Sequence, residues 1–326
     1  GSVPATQWRM TDAPQPQGPL GTRLTDLGIT VLERGWLSAN SIVMRADAGS
    51  LVVDTGYATH ANQTRALIRQ ALEGRPLERL VNTHLHSDHC GGNAALLDAW
   101  PRARVGIPPG QASAVRDWDP VALTYVPTGQ FCPRFDYDEL IRPGDRLHVG
   151  LLHWDVHAAP GHDPHAIVLH EPDRRILISG DALWNNGFGV VFPELDGIDA
   201  FKEVADTLDL IEALAPSIVI PGHGSAFQGA EVAAALVRAR SRLLQFQDNP
   251  AKHRWHALKV LVKFKMLELQ RVEREELQAW FDSSDYFIRI ARIDRPLSPS
   301  EVLDSLLKDL ERAQALSIER NWILNH

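Results

Sequence analysis

The sequence predicts an α+β protein in which two β-sheets pack face to face and are covered by outer helices. Three runs early in the chain have the apolar character of β-strands, at residues 28–32, 41–45 and 50–53. Two other segments, residues 61–72 and 200–214, place apolar side chains three and four positions apart, which is the spacing of an amphipathic helix. Strands in two groups with helices between them suit a sandwich of two sheets with helices on the outside.

The last part of the chain changes to a mainly helical pattern and predicts a second, smaller domain. Helices are expected at residues 251–270, 274–281 and 299–313, and residues 316–324 are expected to form a terminal β-hairpin. The start of the chain is instead rich in Pro and Gly. We therefore divide the chain into a flexible segment over residues 1–22, a large domain over 23–244 and a mainly helical domain over 245–326.

One short run carries most of the chemical information in this sequence. His84, His86, Asp88 and His89 follow an apolar run and precede two glycines. If residues 79–83 end a strand, His84 and His86 project to the same side, because side chains alternate along a strand. Imidazole binds zinc, iron, copper and nickel, and a carboxylate can bridge two cations. The run therefore predicts a metal site rather than a histidine-rich turn.

Three later segments each end an apolar, β-like run with a further ligand-type side chain. These side chains are His162, Asp181 and His223, and each follows a glycine, which lets the backbone turn sharply and approach a site closely. A lone His or Asp after a strand is often a simple turn residue. Together with the first run, however, the three complete two coordination shells.

These seven residues resemble the signature of the metallo-β-lactamase superfamily, a His-x-His-x-Asp-His run followed by a distant His, Asp and His. The resemblance covers roughly residues 25–240 and implies a four-layer αββα sandwich for the large, catalytic domain. It also implies two divalent metal ions, with Zn²⁺ expected first and Fe or Mn as alternatives. The first ion would be held by His84, His86 and His162, the second by Asp88, His89 and His223. Asp181 would bridge them.

Two further residues are expected to support the metal ligands without binding metal. Asp54 matches an early strand-end Asp of the family, although an ordinary turn Asp fits the sequence nearly as well. The glyoxalase-II-like members usually have another His four residues after the counterpart of His162, whereas this chain has Ala166 there and His165 one residue earlier. This departure argues against glutathione thioesters as the specific substrate. His165 either supports the site or is a buried residue at a strand edge.

Two segments are candidates for the wall of a substrate pocket. The run after Asp181 contains Trp184, Asn185 and Phe188, and its position beside a ligand predicts that these three bind substrate. Residues 107–150 contain further aromatic side chains. These could line an apolar pocket, but packing of a long insertion onto the core is the favoured interpretation.

The residues and the resemblance together predict a metal-dependent hydrolase of the thioesterase or lactonase type. In the expected reaction, a hydroxide that bridges the metal ions attacks the carbonyl of an ester, thioester or lactone. Asp88 orients this nucleophile and relays a proton to the leaving group, while Asp181 bridges the ions. Two alternatives remain open: a phosphodiesterase or ribonuclease with the same metal site, and a mononuclear iron dioxygenase acting on persulfides.

The helical C-terminal region raises a separate hypothesis about nucleic acid. Residues 252–265 interleave basic side chains with Trp255 and Phe264, but a solvated amphipathic helix is the favoured interpretation. The same helix could instead lean over the metal site and attract an anionic substrate. Helices followed by a hairpin also resemble the winged-helix appendage of one branch of the superfamily.

The composition favours a protein that acts on a small molecule. The net charge is −8, most of it within residues 1–240, so there is no uniform basic surface for nucleic acid. Of the two cysteines, Cys90 is expected to be a buried packing residue. No stretch approaches the roughly 18 apolar residues of a membrane span. We therefore expect a cytoplasmic protein that acts on a small-molecule substrate and has no membrane partner. A nucleic-acid partner is not favoured, and the oligomeric state is not predicted.

Overall fold

The structure, a computed structural model, describes residues 19–326. Residues 1–18 of the predicted flexible segment lie outside the described residues, while residues 19–22 begin the first helix, α1 (Pro19–Asp26). The first sheet has six strands in sequential order: β1 (Ile29–Leu32), β2 (Ser41–Met44), β3 (Leu51–Val53), β4 (Arg79–Val81), β5 (Arg104–Ile107) and β6 (Glu139–Leu140). The three early strands were predicted to within one residue at each end.

The second sheet also has six strands and faces the first. They are β7 (Arg146–Val149), β8 (Leu152–Ala158), β9 (Ile167–Glu171), β10 (Ile176–Gly180), β11 (Ile218–Pro221) and β12 (Phe227–Gln228), in reverse order across the sheet. β3 runs parallel to β4, and β10 runs parallel to β11. Because parallel strands end at the same edge of a sheet, the segments that follow these four strands converge.

Helices cover the outer faces of both sheets. The helices between residues 27 and 248 are α2 (Ala61–Leu72), α3 (Ser87–Cys90), α4 (Asn93–Ala99), α5 (Ala112–Asp117), α6 (Phe192–Leu195), α7 (Phe201–Leu214) and α8 (Ala230–Asp248). Adjacent strand residues pack in opposite directions: Val81 and Ile178 lie between the sheets, whereas Leu80 and Leu177 pack under the helices. This alternation produces four layers, and the predicted αββα class is confirmed.

The C-terminal region consists of helices and a small sheet. Its elements are α9 (Pro250–Leu269), β13 (Arg271–Glu273), α10 (Arg274–Asp282), α11 (Tyr286–Asp294), α12 (Pro299–Arg312), β14 (Leu316–Glu319) and β15 (Trp322–Asn325). The predicted hairpin is present, since β14 pairs with β15, and β13 adds a third strand. A winged-helix relationship and the division into domains stay predictions. Helix α8 runs across the proposed boundary at residue 244.

Helix α9 is not the solvated amphipathic helix that its basic residues predicted. Lys263 is completely buried, and its ammonium group donates to the carbonyl oxygens of Ala315 (2.6 Å) and His326 (3.0 Å). Lys265 is nearly buried and pairs with Glu268. The physical reason is that the terminal hairpin packs over this helix and supplies acceptors for the buried amine. Within residues 19–326, no helix combines the length and the apolar composition that crossing a bilayer requires.

Candidate metal centre

The first histidines of the centre lie in a turn rather than in a strand. β4 already ends at Val81, so the expectation that strand alternation aligns His84 and His86 is wrong. The turn nevertheless brings their ring centroids to 4.6 Å. Asp88 and His89 follow in the single-turn helix α3, which directs both side chains toward the same edge of the sandwich.

The remaining candidate ligands come from the loops after β8, β10 and β11. Glycines in and near these loops allow the ligand side chains to approach one another closely. Gly180, before Asp181, has a φ of +52°, which glycine adopts without steric cost. A Cβ atom on Gly189 would lie 2.3 Å from Nδ1 of His162, and one on Gly222 would lie 2.4 Å from Oδ1 of Asp181. The glycines therefore leave room for the ligand side chains themselves.

The structure brings all seven predicted ligands together in two adjoining clusters. In one, nitrogen atoms of His84, His86 and His162 lie within 4.8 Å of one another. In the other, ligand atoms of Asp88, His89, Asp181 and His223 do so. Asp181 connects them, because its Oδ2 atom lies 3.0 Å from Nε2 of His89 and 3.3 Å from Nε2 of His162.

The hydrogen bonds of the histidines fit cations at the centre of these clusters. Outward-facing ring nitrogens have oxygen partners: Asp163 Oδ2 for His86 (3.2 Å), Asp54 Oδ2 for His89 (2.8 Å), the Val190 carbonyl for His162 (2.5 Å) and the Gly35 carbonyl for His223 (3.3 Å). Such partners fix ring orientation and raise ligand basicity. By contrast, the inward Nε2 of His84 is buried without any hydrogen-bond partner. The donor set of imidazoles and carboxylates suits divalent metal ions.

Asp54, for which a supporting role is predicted, contacts the candidate ligand His89. It is buried with a φ of +62°, an uncommon conformation for Asp. One carboxylate oxygen accepts from the Thr83 backbone N–H (2.9 Å), while the other accepts from the Thr83 hydroxyl (2.8 Å) and contacts His89. The residue thus ties the turn carrying His84 to the helix carrying His89.

Burial and neighbouring charges shift the pKa values of the candidate ligands in opposite directions. Burial by itself opposes charge, and together with neighbouring histidines it holds the pKa of His84 well below its usual value. For His89 the same burial is outweighed by the carboxylates of Asp181, Asp88 and Asp54, which hold its pKa well above the usual range. His89 and His223 in turn hold the pKa of Asp181 well below normal despite burial. For His89 and Asp181, neighbours of opposite charge therefore favour the charged form against the cost of burial.

A pocket of about 110 Å³ opens onto the clusters. Five predicted ligands reach its surface, namely His86, Asp88, His162, Asp181 and His223. Its wall is mostly apolar, and α9 contributes Val260, Leu261, Phe264 and Leu267. Trp36 stacks on His223 with ring centroids 4.9 Å apart, and Trp184 packs edge-on against Trp36. The alternative that α9 leans over the metal site is thus the one that the structure supports.

The three predicted substrate-binding residues differ in their position relative to the pocket. Trp184 lines the pocket and its indole N–H donates to Asp181 at 3.1 Å. Asn185 instead accepts hydrogen bonds from Arg238 through its backbone and side-chain oxygens. Phe188 is buried under the second sheet against Phe246. The prediction for these last two is wrong because both side chains face away from the pocket, Asn185 toward Arg238 and Phe188 into the core.

His165 also differs from the two roles expected for it. Its side chain is exposed, and its ring packs on Gly110 instead of reaching a predicted ligand. The adjacent loop residue Asp163 makes the supporting contact, to His86. A carboxylate next to His162 was the signal available in the sequence. The long insertion mainly packs on the core, as favoured, through residues such as Trp118, Tyr125 and Phe135.

Some pocket residues had no recognisable signal in the sequence. Trp36 lies in an ordinary loop after β1, and the apolar residues of α9 are more than 30 positions beyond the last predicted ligand. The insertion contributes the polar residues Thr124, Thr128 and Gln130 to the pocket rather than its aromatic side chains. Cys90 is buried as expected, with its sulfur 3.8 Å from that of Cys132.

Comparison with known protein families gives a match across the central part of the chain. Residues 34–223 match the family model of the metallo-beta-lactamase superfamily. The hydroxyacylglutathione hydrolase of Legionella pneumophila (strain Corby) is 26% identical over 177 residues, which cover 54% of this chain and 59% of that protein. The acyl-coenzyme A thioesterase MBLAC2 of Homo sapiens is 27% identical over 218 residues, covering 59% of this chain and 75% of that protein. The chain thus spans less than two thirds of the Legionella protein.

Solved structures show the same fold. A metallo-beta-lactamase family protein from Thermus thermophilus aligns with a TM-score of 0.53 and 19% identity, covering 92% of this chain and 99% of that one. A metallo-beta-lactamase from Cronobacter sakazakii aligns with a TM-score of 0.54 and 20% identity, covering 70% and 93%. At these identities the similarity concerns the fold alone.

Proposed function

This chain belongs to the metallo-beta-lactamase superfamily, and on that premise we propose that it is a metal-dependent hydrolase of acyl thioesters. One observation carries the proposal: two ligand clusters joined by Asp181 form the floor of a pocket with a mostly apolar wall. A carbonyl held over the floor would place an acyl chain along that wall. The names of two relatives, a hydroxyacylglutathione hydrolase and an acyl-coenzyme A thioesterase, support the same bond type.

The residues that would hold metal are the seven ligands named from the sequence. His84, His86 and His162 would bind one ion, and Asp88, His89 and His223 the other, with Asp181 shared between them. Bound divalent ions would supply Lewis acidity and lower the pKa of water toward about 7. Zn²⁺ fits the imidazole-rich donor set best.

Two carboxylates of the centre have proposed roles in the reaction. Asp88 lines the pocket, and its Oδ2 atom lies 2.9 Å from Nε2 of His223. It would take a proton from the attacking water and return it to the leaving thiolate, so that an acid and a thiol are released. Asp181 is held from behind by the indole of Trp184 and keeps the two ligand sets together.

The apolar wall supplies the specificity for the acyl group. Burying a methylene contributes roughly 0.8 kcal/mol, so Phe264 and its neighbours on α9 favour substrates with an apolar chain. The same wall offers little to a phosphodiester backbone, and the burial of Lys263 and Lys265 leaves fewer basic side chains of α9 available to nucleic acid.

The test is turnover of zinc-loaded protein on matched thioester, lactone and phosphodiester substrates, each with and without a chelator. We expect chelator-sensitive thioester hydrolysis and a loss of at least about a hundredfold in Asp181→Asn, with reduced metal content by elemental analysis. Asp98→Asn, a change at an exposed carboxylate of α4, is the matched control and should retain activity.

Other outcomes point to the alternatives. Hydrolysis of phosphodiesters with silent thioesters would support the nuclease, and iron-dependent oxygen consumption with a persulfide would support the dioxygenase. An Asp181→Asn protein with full metal content and full turnover would contradict the assignment of the centre.

A further inference from the structure

We propose that a basic cavity beside the metal centre binds the phosphate groups of the substrate's thiol carrier, a phosphate-bearing thiol such as coenzyme A. This inference deepens the proposed function and rests on it for the acyl end of the substrate. The cavity has a volume of about 540 Å³ and lies between α8, α9 and the end of α11. It is separate from the apolar pocket but shares a wall with it.

The cavity is lined by an excess of positive charge. Its cationic side chains are Arg242, Lys252, Arg254, Lys259 and Arg295, against the single carboxylate of Asp294. Arg254 is neutralised by that carboxylate through hydrogen bonds of 2.6 and 2.7 Å. The other four have no carboxylate within ion-pair distance among residues 19–326. Most cations that a fold brings together are compensated by acids, so this excess indicates an anionic ligand.

Arg242 marks the connection between the cavity and the metal pocket. Arg242 and His256 line both spaces, and Nη2 of Arg242 donates to Nε2 of His256 at 3.1 Å. The Nε group of Arg242 is buried and has no hydrogen-bond partner. A buried guanidinium N–H without an acceptor is costly, and a ligand oxygen would satisfy it. A substrate lying across this pair would have its acyl end over the metal ligands and its anionic end in the basic cavity.

Arg295 presents its guanidinium in a form suited to phosphate. It stacks on Trp255, with the guanidinium carbon 3.6 Å from the ring centroid. Trp255 is itself held by a hydrogen bond from its indole to Asp309 (2.7 Å). Stacking fixes the plane of the guanidinium while leaving its edge free to donate two parallel hydrogen bonds, the geometry that phosphate oxygens accept. Lys259 contributes a further charge from the same wall.

The first experiment measures binding of coenzyme A to the protein by titration calorimetry, independently of catalysis. We expect dissociation constants about tenfold higher in Lys259→Gln and in Arg295→Gln. The exposed residues Lys308 and Arg292 provide matched controls, and Lys308→Gln and Arg292→Gln should bind as the unchanged protein does. Binding that no cavity variant weakens, or that glutathione reproduces, would overturn the proposal.

The second experiment separates the carrier from the acyl group. In the cavity variants, kcat/KM should fall about tenfold for an acyl-coenzyme A but stay unchanged for the same acyl group on N-acetylcysteamine, a thiol without phosphate. Equal losses on both thioesters would overturn the cavity assignment. If neither thioester is hydrolysed while coenzyme A binding still depends on Lys259 and Arg295, the proposed function fails and the cavity assignment stands.

Discussion

The outward-facing nitrogens of His86, His89, His162 and His223 each have an oxygen partner that is not among the predicted ligands. Asp163 is the clearest case, because its carboxylate lies 3.2 Å from Nε2 of His86 and also accepts from the His165 backbone N–H at 2.7 Å. The second contact fixes the carboxylate, and the first then fixes the ring. Asp163 is therefore a positioning residue.

Replacing Asp163 by Asn tests this role with little change in shape. Since the amide loses the negative charge that raises the basicity of His86, zinc affinity should fall about ten- to a hundredfold. Competition with a chromophoric chelator measures this change, with Asp98→Asn as control. Unchanged zinc affinity in Asp163→Asn would show that the carboxylate does not orient a ligand.

At the scale of elements, α9 serves two purposes on its different sides. One side reaches the pocket through Val260, Leu261, Phe264 and Leu267, while the other carries Lys263 to the carbonyls of the terminal hairpin. The helix therefore couples the shape of the substrate wall to the integrity of the C-terminal region.

Truncating Phe264 to Ala should alter the acyl preference. The side chain lines the pocket and packs edge-on against Tyr57 at 5.0 Å. Its loss should reduce kcat/KM about tenfold for long-chain thioesters and much less for acetyl thioesters, because only long chains reach the wall. Leu269→Ala, at an exposed position on the same helix, is the control. Equal losses for short and long chains would indicate a general disturbance of the fold.

Replacing Lys263 by Met should destabilise the protein without affecting metal ligands. Met fills a similar volume but leaves Asn325 Oδ1 and the His326 backbone oxygen without the Lys263 donor, which should cost about 1–3 kcal/mol. Urea unfolding monitored by fluorescence measures the loss. Lys308→Met, at an exposed position, should be nearly neutral. Equal stabilities of the two variants would mean that water replaces the buried amine.

At the scale of the whole molecule, metal binding would join loops from both sheets and should be linked to pH. The pKa values of His89 and His223 are raised because, against burial, nearby carboxylates favour their charged forms. Protons must leave when a cation takes their place, so zinc affinity should fall as the pH is lowered from about 8 to about 6. Calorimetry in two buffers of different ionisation enthalpy counts the protons released. A zinc affinity that is independent of pH, with no proton release, would contradict this linkage.

The sequence by itself determined the layered fold and the seven residues that the structure brings together. Both depend on patterns within short segments of the sequence. Apolar runs that end in Gly and a ligand-type residue indicate strand ends, and apolar residues at helix spacing indicate the outer helices. The turn after β4 shows the limit of this reasoning, because the strand stops two residues earlier than expected and the turn, not the strand, aligns His84 and His86.

Only the tertiary structure decided what surrounds the centre. In the structure, Trp184 lines the pocket whereas Asn185 and Phe188 do not. Asp163, rather than His165, contacts the predicted ligand His86. The helix predicted from its basic residues to be solvated forms a wall of the pocket. The reason is that these roles depend on partners far away in sequence: Lys263 is buried because Ala315, 52 residues later, accepts its hydrogen bond. Local periodicity records the conformation of a segment, whereas burial and contact depend on which segments the fold packs against it.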